Sequence, residues 1–319
     1  MADLGIMIES QDGTNWDRWN KLIDACHNGG LNGLWRSDHL FSLMGDTTRD
    51  ALALVPALTA VALKSDRLEF GAVVCPMTFR HPVMLAREAV ALDTLSNGRY
   101  TLGIGAGWNE REHDAFGFDL LPLKTRMDRM EESLEVISRL HTGEVVSYKG
   151  EQFELKDAQM RPKPTRGNKV PIMIGGSGKQ RTLNMVARFA DEWNCVNGDK
   201  ASYDELNQVL DGHCKNAGRD PSTIKRSIMG GFIIGRNENE MLDRAKKLKE
   251  ISPGNAEFTP QQIIDRARDR WGFAGTPEEV IEAIKALESK GVSRFMLQML
   301  DQDDLDAVEL ISKEVNPHV

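Results

Sequence analysis

The sequence of 319 residues predicts a closed (β/α)8 barrel on the basis of three observations. Eight short, β-prone apolar runs alternate with segments whose apolar residues recur at helical spacing. No glycine fingerprint of a dinucleotide-binding sheet is found. No internal repeat is longer than one strand and one helix. A doubly wound open sheet is the alternative architecture, and we expect residues 1–319 to form a single domain.

The clearest strand-helix-strand unit begins with the apolar β-prone run 68–74. Residues 83–95 then have helical periodicity, and residues 100–105 form the next strand. A crossover of this length joins parallel strands. It therefore places Cys75 and the segment 105–110 side by side at the C-terminal ends of neighbouring strands, where barrels bind their ligands.

The other segments continue the alternation, with three departures from it. Residues 107–124 predict a long loop rich in charged and aromatic residues, and residues 145–155 predict a hairpin inserted before the fifth strand. Residues 251–271 have a less regular pattern. The run Thr276-Pro277-Glu278-Glu279 predicts a helix start, because threonine is a good N-cap and proline suits the first helical position. The predicted strands are residues 4–8, 33–36, 68–74, 100–105, 171–174, 192–196, 227–234 and 293–299.

Composition excludes several classes of protein. The 40 basic and 48 acidic residues give a net charge of −8 without a basic block, so nucleic acid is not an expected partner. The longest apolar run, residues 51–63, contains Pro56 and is shorter than the roughly 20 residues that span a bilayer, so no membrane segment is expected. The N-terminus has no export signal, and we expect a cytoplasmic protein. The cysteines are too widely spaced for a zinc site and are expected to be free thiols: Cys26, Cys75, Cys195 and Cys214.

Polar residues at predicted strand ends are the candidates for chemistry. Asp38 and His39 follow the second strand, and Asn109 and Glu110 follow the fourth. His39 next to a carboxylate could be a general acid or base, or it could be a surface imidazole beside a helix cap. Pattern alone leaves both interpretations open.

Two groups of glycines also follow strands. Gly176, Ser177 and Gly178 open a helix, where bare backbone N–H groups can bind a phosphate, and Lys179 or Arg181 could add positive charge. The alternative is a tight strand-to-helix turn. Gly103, Gly105 and Gly107 could likewise let a flat ligand approach the backbone, or they could simply turn the chain.

Five motifs, in this order and spacing, resemble the luciferase-like monooxygenase superfamily, and within it the branch that uses the deazaflavin coenzyme F420. The resemblance covers nearly the whole chain and implies a (β/α)8 barrel with loop insertions. The motifs are Ser37-Asp38-His39-Leu40, Pro76-Met77-Thr78-Phe79-Arg80-His81-Pro82, Leu95-Ser96-Asn97-Gly98-Arg99, Gly103-Ile104-Gly105-Ala106-Gly107-Trp108-Asn109-Glu110 and Ala190-Asp191-Glu192-Trp193-Asn194.

The resemblance implies a cofactor site. It places the phosphate of coenzyme F420 at Gly176, Ser177 and Gly178. It also implies a non-prolyl cis peptide behind the deazaflavin ring, at the bond between Ala72 and Val73. The residues implied to contact the ring and its ribityl chain are Asp38, Cys75, Ala106, Gly107 and Asn109.

The resemblance also implies an activity. His39 matches the proton donor of the sugar-phosphate dehydrogenases in this branch, which have a glutamate where this chain has Trp108, and Glu110 is the nearest glutamate to that position. We expect an F420-dependent oxidoreductase that exchanges hydride with a small organic substrate, as a homodimer. One alternative is an FMN-dependent two-component monooxygenase fed by a separate reductase. A non-catalytic flavin-binding barrel is the other.

Overall fold

The computed structural model describes residues 2–196 and 199–319. Its strands are β1 (Asp3–Ile8), β2 (Gly33–Arg36), β3 (Glu69–Ala72), β4 (Cys75–Pro76), β5 (Tyr100–Gly105), β6 (Val146–Lys149), β7 (Glu154–Ala158), β8 (Ile172–Gly175), β9 (Glu192–Asn194), β10 (Lys225–Gly231), β11 (Ile233–Ile234), β12 (Ala274–Gly275) and β13 (Arg294–Met299). Eight parallel strands pair in the order β3, β2, β1, β13, β10, β9, β8 and β5, and the additional pairing of β3 with β5 closes the ring. The predicted (β/α)8 barrel is confirmed.

Helices surround this ring. They are α1 (Trp16–Asn28), α2 (Leu54–Lys64), α3 (Pro82–Leu95), α4 (Glu110–Phe116), α5 (Leu123–His141), α6 (Thr182–Phe189), α7 (Tyr203–Asn216), α8 (Glu238–Ile251), α9 (Pro260–Arg270), α10 (Pro277–Glu288) and α11 (Leu305–Leu310). None of the helices in the described ranges is long and apolar enough to cross a bilayer.

The sequence pattern explains how a helix packs on the ring. In α1, Trp19, Leu22, Ile23 and Cys26 recur on one face, and all four are fully buried. Burial of one such aliphatic side chain contributes roughly 1.5–3 kcal/mol relative to exposure. The Trp19 indole N–H donates to the carbonyl of Ala57 at 2.8 Å, so its one polar atom is satisfied inside the core.

The two ends of the barrel interior differ in chemistry. Met7, Trp35, Met173 and Met296 are buried together and come from four different strands. At the N-terminal end, Arg294 forms ion pairs with carboxylates from three other strands (β1, β3 and β9). Among the residues that the structure describes, these side chains fill the middle and the N-terminal end of the barrel, and the open site lies at the C-terminal end, which holds the functional residues of such barrels.

The prediction was wrong for one segment, and a second segment had been assigned no element. The predicted loop 107–124 contains α4, and the less regular segment 251–271 contains α9. Each helix begins at a side-chain cap, Asn109 for α4 and Thr259 for α9. Both helices have few apolar residues to mark their periodicity: only Ile263 and Ile264 are buried in α9. The predicted hairpin is confirmed as β6 paired with β7, and Thr276 caps α10 as expected.

Candidate active site

A cavity of about 1380 Å³ opens at the C-terminal ends of the barrel strands. Small-ligand sites usually measure roughly 300–1,000 Å³, so this cavity has room for a large ligand and a second, smaller one. Six of the residues predicted at the site line it: His39, Val73, Ala106, Gly107, Asn109 and Gly176. The other six predicted residues are not part of its lining: Asp38, Ala72, Cys75, Glu110, Ser177 and Gly178.

His39 is held by a buried glutamate. Its Nδ1 lies 3.1 and 3.2 Å from the two carboxylate oxygens of Glu112, which is 1% exposed. One of those oxygens also accepts the backbone N–H of Leu40 at 2.6 Å. The Nε2 atom of His39 has no hydrogen-bond partner within the part of the chain that the structure describes. The imidazole is thus fixed through one nitrogen and leaves the other for a ligand.

Two opposing effects set the charge of His39. Burial disfavours its protonated form, but the hydrogen bond and the charge of Glu112 outweigh burial, so the pKa of His39 lies above its ordinary value. More distant carboxylates, at Glu9 and Asp38, act in the same direction. An imidazolium can donate a proton from Nε2, and the neutral ring can accept one there.

Asp38 does not hold His39, although the two are adjacent in sequence. The buried Asp38 carboxylate forms a bidentate ion pair with Arg80, which has one N–H···O distance of 3.1 Å and a second, shorter bond. The two side chains follow the end of β2 and have different partners, Arg80 for Asp38 and Glu112 for His39. Cys75 lies near this pair and is fully buried, and burial raises the pKa of its thiol well above the ordinary value, which disfavours the nucleophilic thiolate.

The structure places Glu112, rather than Glu110, at the cavity. Glu110 is the first residue of α4 and is exposed. A helix turns by about 100° per residue, so Glu112 points roughly 200° away from Glu110 and toward the barrel. Asn109 sets this rotation because its side chain accepts the Glu112 backbone N–H at 2.8 Å. Trp108 is 64% exposed and its ring stands edge-on to His39, with 6.1 Å between the centroids.

The non-prolyl cis peptide lies one bond later than predicted, between Val73 and Val74. Strand β3 continues regularly through Ala72, and the Val73 N–H still donates to the Arg36 carbonyl at 2.8 Å. Val73 and Val74 line the cavity, whereas Ala72 is buried behind them. A Cβ atom at Gly105 would lie 2.6 Å from a methyl group of Val74, so this strand needs glycine to accommodate the valine.

The segment that links β5 to α4 forms one wall of the cavity. Gly107 has a φ of +80°, and a Cβ there would lie 2.6 Å from the hydroxyl of Thr78. That hydroxyl also bonds Nε2 of His113 at 2.7 Å, while Nδ1 of His113 donates to the Asn109 carbonyl at 2.6 Å. Glycine at position 107 therefore lets a rigid, hydrogen-bonded wall form beside Ala106 and Asn109.

The loop after β8 precedes α6. Gly176 has a φ of +133°, and the Ser177 hydroxyl donates to the Val196 carbonyl at 2.5 Å. Within the described ranges, the backbone N–H groups of Ser177, Gly178 and Lys179 donate to no protein acceptor. The two cations considered for this loop are paired elsewhere: Lys179 with Glu205, and Arg181 with Asp128 and Glu131. Any anion here would be bound mainly by backbone N–H groups.

Comparison with known proteins gives the family. The model of the luciferase-like monooxygenase family matches residues 4–294. The chain belongs to the luciferase-like monooxygenase family.

Relatives with more specific names are distant. An F420-dependent glucose-6-phosphate dehydrogenase of Amycolatopsis mediterranei is 27% identical over 305 residues, which cover 90% of this chain and 90% of that protein. A 4-hydroxyprotoasukamycin monooxygenase of Streptomyces nodosus is also 27% identical, over 90% of this chain and 82% of its own length. A solved F420-dependent secondary alcohol dehydrogenase in complex with an F420-acetone adduct superposes with a TM-score of 0.84 at 17% identity, covering 100% of this chain and 99% of that one.

Sequence reasoning missed three residues of this luciferase-like site: Glu112, Val74 and Glu9. A signal for Glu112 was present, because Asn109 and Glu112 have the spacing of an N-cap and the third helical residue. That signal would have shown that a helix starts here and turns Glu110 outward.

Within residues 2–196 and 199–319, no group of three or more His, Cys, Asp or Glu side chains could hold a metal ion.

Proposed function

We propose that this member of the luciferase-like family is a coenzyme F420-dependent oxidoreductase that transfers a hydride between the deazaflavin and a small organic substrate. The observation that carries the proposal is His39, which lines the cavity with Nδ1 bound to buried Glu112 and Nε2 left for a proton transfer. The name of the dehydrogenase relative supports the choice of cofactor. Residues 1–319 would act as one catalytic domain, in agreement with the pairing of β1 with β13.

The cavity fits a flat tricyclic ring with a phosphorylated tail. Val73, Val74 and Ala106 give it an apolar surface, and the backbone at Gly107 comes close to the cavity without a side chain. The N–H groups of Ser177, Gly178 and Lys179, which have no acceptor among the described residues, follow the cavity-lining Gly176 and would bind the phosphate. Asp38, Ala72 and Cys75 would support the ring from behind, through Arg80 and through the packing of β3.

The roles of the protein's own residues follow from this geometry. When bound, a 5-deazaflavin supplies a carbon centre that exchanges hydride and reacts poorly with oxygen. His39 would hold or release the proton that accompanies the hydride, at Nε2. Glu112 would orient the imidazole and stabilise its charged form, and the walls at Val74 and Gly107 would exclude water from the ring face.

A cofactor titration tests the proposal. Purified protein should shift the absorbance of coenzyme F420 at lower concentrations than it shifts that of FMN. Tight FMN binding without deazaflavin binding would favour the two-component monooxygenase, the alternative that the monooxygenase relative supports. Tight deazaflavin binding without turnover of any enone, imine or secondary alcohol would favour a non-catalytic carrier.

Replacement of His39 separates catalysis from binding. His39→Ala should lower turnover by about 10²- to 10⁴-fold, the usual effect of losing a general acid or base, while cofactor affinity changes far less. Full turnover in a folded His39→Ala variant would assign the proton transfer to another group or to solvent.

Assembly and location complete the proposal. We propose a homodimer, since the adjacent helices α2 and α3 expose Leu63, Met84 and Leu95. Sedimentation should give twice the chain mass of 35.6 kDa. We also propose a cytoplasmic location, where the four free, buried cysteines would stay reduced. A separate enzyme would then regenerate the cofactor.

A further inference from the structure

A row of hydrogen-bonded side chains crosses the cavity at the ends of β2, β1 and β13. The Ser37 hydroxyl donates to Oε1 of Gln11 at 2.5 Å, and Nε2 of Gln11 donates to Oε2 of Glu9 at 2.9 Å. From the other side, Nε2 of Gln298 donates to Oε1 of Glu9 at 2.5 Å. All four residues line the cavity. Ser37, the first residue of this row, lies two positions before His39, and both residues line the same cavity.

The row fixes Glu9 as an acceptor. Both carboxylate oxygens already receive an amide N–H, and each oxygen has a second acceptor site. Within the described residues, Glu9 has no hydrogen bond or ion pair to a Lys, Arg or His side chain. A partly buried carboxylate that keeps acceptor sites and has no cationic partner favours a ligand that donates hydrogen bonds and carries positive charge.

In the described part of the chain, the lysine and arginine side chains that line the same cavity are already engaged, which leaves His39 as the cation with a free donor atom. Arg18 forms a bidentate pair with Asp303 at 2.6 and 2.8 Å. Arg49 donates to the Ile251 carbonyl and lies 4.0 Å from Asp12, and Lys247 lies 4.0 Å from Glu250. A phosphate or carboxylate on a substrate would therefore have to displace the partner of an arginine or lysine, or bind at Nε2 of His39 alone, and it would also face the charge of Glu9.

We propose that Glu9 determines substrate specificity by binding a protonated nitrogen, so that the substrate is a cyclic or secondary iminium ion, or the corresponding amine, rather than a sugar phosphate or another anion. This inference rests on the proposed function and names the substrate class of the same site. Ser37, Gln11 and Gln298 are positioning residues that hold the carboxylate, and Glu9 contacts the substrate.

Reduction of such a substrate needs one hydride and one proton. The iminium carbon gains the hydride of the reduced cofactor, and the electrons of the C=N π bond become a lone pair on nitrogen. The neutral amine then takes a proton from the His39 imidazolium and leaves as an ammonium ion. In total, the iminium ion would gain one hydride and one proton. The cofactor, after giving the hydride, would release one proton, which would restore the imidazolium of His39.

The test compares ligands of one shape and different charge. Binding of tetrahydroisoquinolinium, tetralin-2-ol and tetralin-2-carboxylate is measured at pH 7 by calorimetry, on the protein with and without coenzyme F420. We expect the cation to bind at least about tenfold more tightly than the alcohol, because both ligands can donate a hydrogen bond to Glu9 but only the cation also has the opposite charge. The carboxylate should bind most weakly. Reduction of 3,4-dihydroisoquinolinium should likewise exceed reduction of 1-tetralone.

Variants of Glu9 link this preference to one residue. Glu9→Gln should remove most of the preference for the cation, because it should weaken binding of the cation far more than binding of the alcohol, whereas Glu9→Asp, which keeps the charge, should retain the preference. Glu151→Gln, the same change at an exposed hairpin residue, serves as the matched control. Thermal melting and the cofactor absorbance shift verify that each variant folds.

Each outcome is decisive. Equal binding of cation and alcohol, tightest binding of the carboxylate, or an unchanged preference in folded Glu9→Gln protein would each overturn the assignment of Glu9. Failure to bind coenzyme F420 would instead overturn the proposed function, and the cation preference of the cofactor-free protein would still be measured.

Discussion

At the scale of single residues, the pair formed by His39 and Glu112 gives a pH-dependent prediction. Because Glu112 raises the pKa of His39, the imidazolium persists above its ordinary pKa of about 6.5, and the stabilisation from the pair is lost as pH rises through the raised value. Glu112→Gln should lower the pKa of His39, so turnover that needs the protonated donor should fall at a lower pH. The pH profile of kcat/KM and an NMR titration of the imidazole measure this shift.

Glu110→Gln distinguishes the structural assignment from the one made on sequence. Glu110 is exposed and outside the cavity lining, so we expect the pH profile of this variant to match that of the unaltered protein. A shift as large as that of Glu112→Gln would return the role to Glu110. Glu112→Asp would keep the charge but shorten the side chain, and its profile should fall between the two.

At the scale of elements, the glycine at each end of the α4 segment has a positive φ for a different reason. Gly107, before the helix, has a φ of +80° and a Thr78 hydroxyl 2.6 Å from the position of a Cβ. Gly117, the C-cap, has a φ of +72° and open space there. Gly117→Ala should lower the free energy of unfolding by only about 1 kcal/mol, because alanine is strained in the left-handed backbone conformation. Gly107→Ala should lower the free energy of unfolding further, because its Cβ would also meet the Thr78 hydroxyl, and it should weaken cofactor binding. Denaturant unfolding measures the loss of stability, and the deazaflavin titration measures cofactor affinity. Equal losses of stability in the two variants, with unchanged cofactor affinity, would contradict the proposed contact with Thr78.

Elements and their ends were not equally predictable. The run Tyr100–Gly105 was predicted with the bounds that the structure shows, because a buried parallel strand between a Gly turn and a glycine-rich loop has few alternatives. The exchange of Glu110 for Glu112 follows from the local N-cap at Asn109, whereas the ring order and the roles of Glu9 and Gln298 depend on contacts between distant segments. Gln298 lies 289 positions from Glu9, and no local pattern encodes their hydrogen bond.

The loop at Gly178 gives a second prediction at this scale. Gly178→Asp should place a negative charge beside backbone N–H groups proposed to bind the cofactor phosphate, and a Cβ there would lie 2.7 Å from the Thr182 hydroxyl. Cofactor affinity should fall while the barrel stays folded. Gly178→Ala introduces the same steric contact without the charge, so the difference between the two variants measures the electrostatic part. Unchanged affinity in both would show that the loop is only a turn.

At the scale of the whole molecule, Arg294 connects four strands at the N-terminal end of the barrel. It is 3% exposed and pairs with Glu192 of β9 at 2.7 Å, with Asp3 of β1 at 3.2 Å and with Glu69 of β3. Burial raises the pKa of Glu192 even with this arginine beside it. The end of the barrel opposite the active site is therefore closed by buried charge, and its contribution should be to stability rather than to catalysis.

Arg294→Leu should lower the free energy of unfolding by about 3–5 kcal/mol at pH 7, because it leaves Glu192 as a buried charge without its partner. Without the arginine the pKa of Glu192 should rise further. The loss should then be smallest at low pH, where the Glu192 carboxyl is protonated in the folded protein with or without the arginine, and should grow as pH rises through the raised pKa of that carboxyl. Urea unfolding at pH 4 and pH 7 measures the difference.

The double variant Arg294→Leu with Glu192→Leu should recover much of the stability at pH 7, since Asp3 and Glu69 remain partly exposed to water. If stability is not recovered, the Arg294–Glu192 pair contributes to the packing of β9 against β10 in addition to neutralising a buried charge.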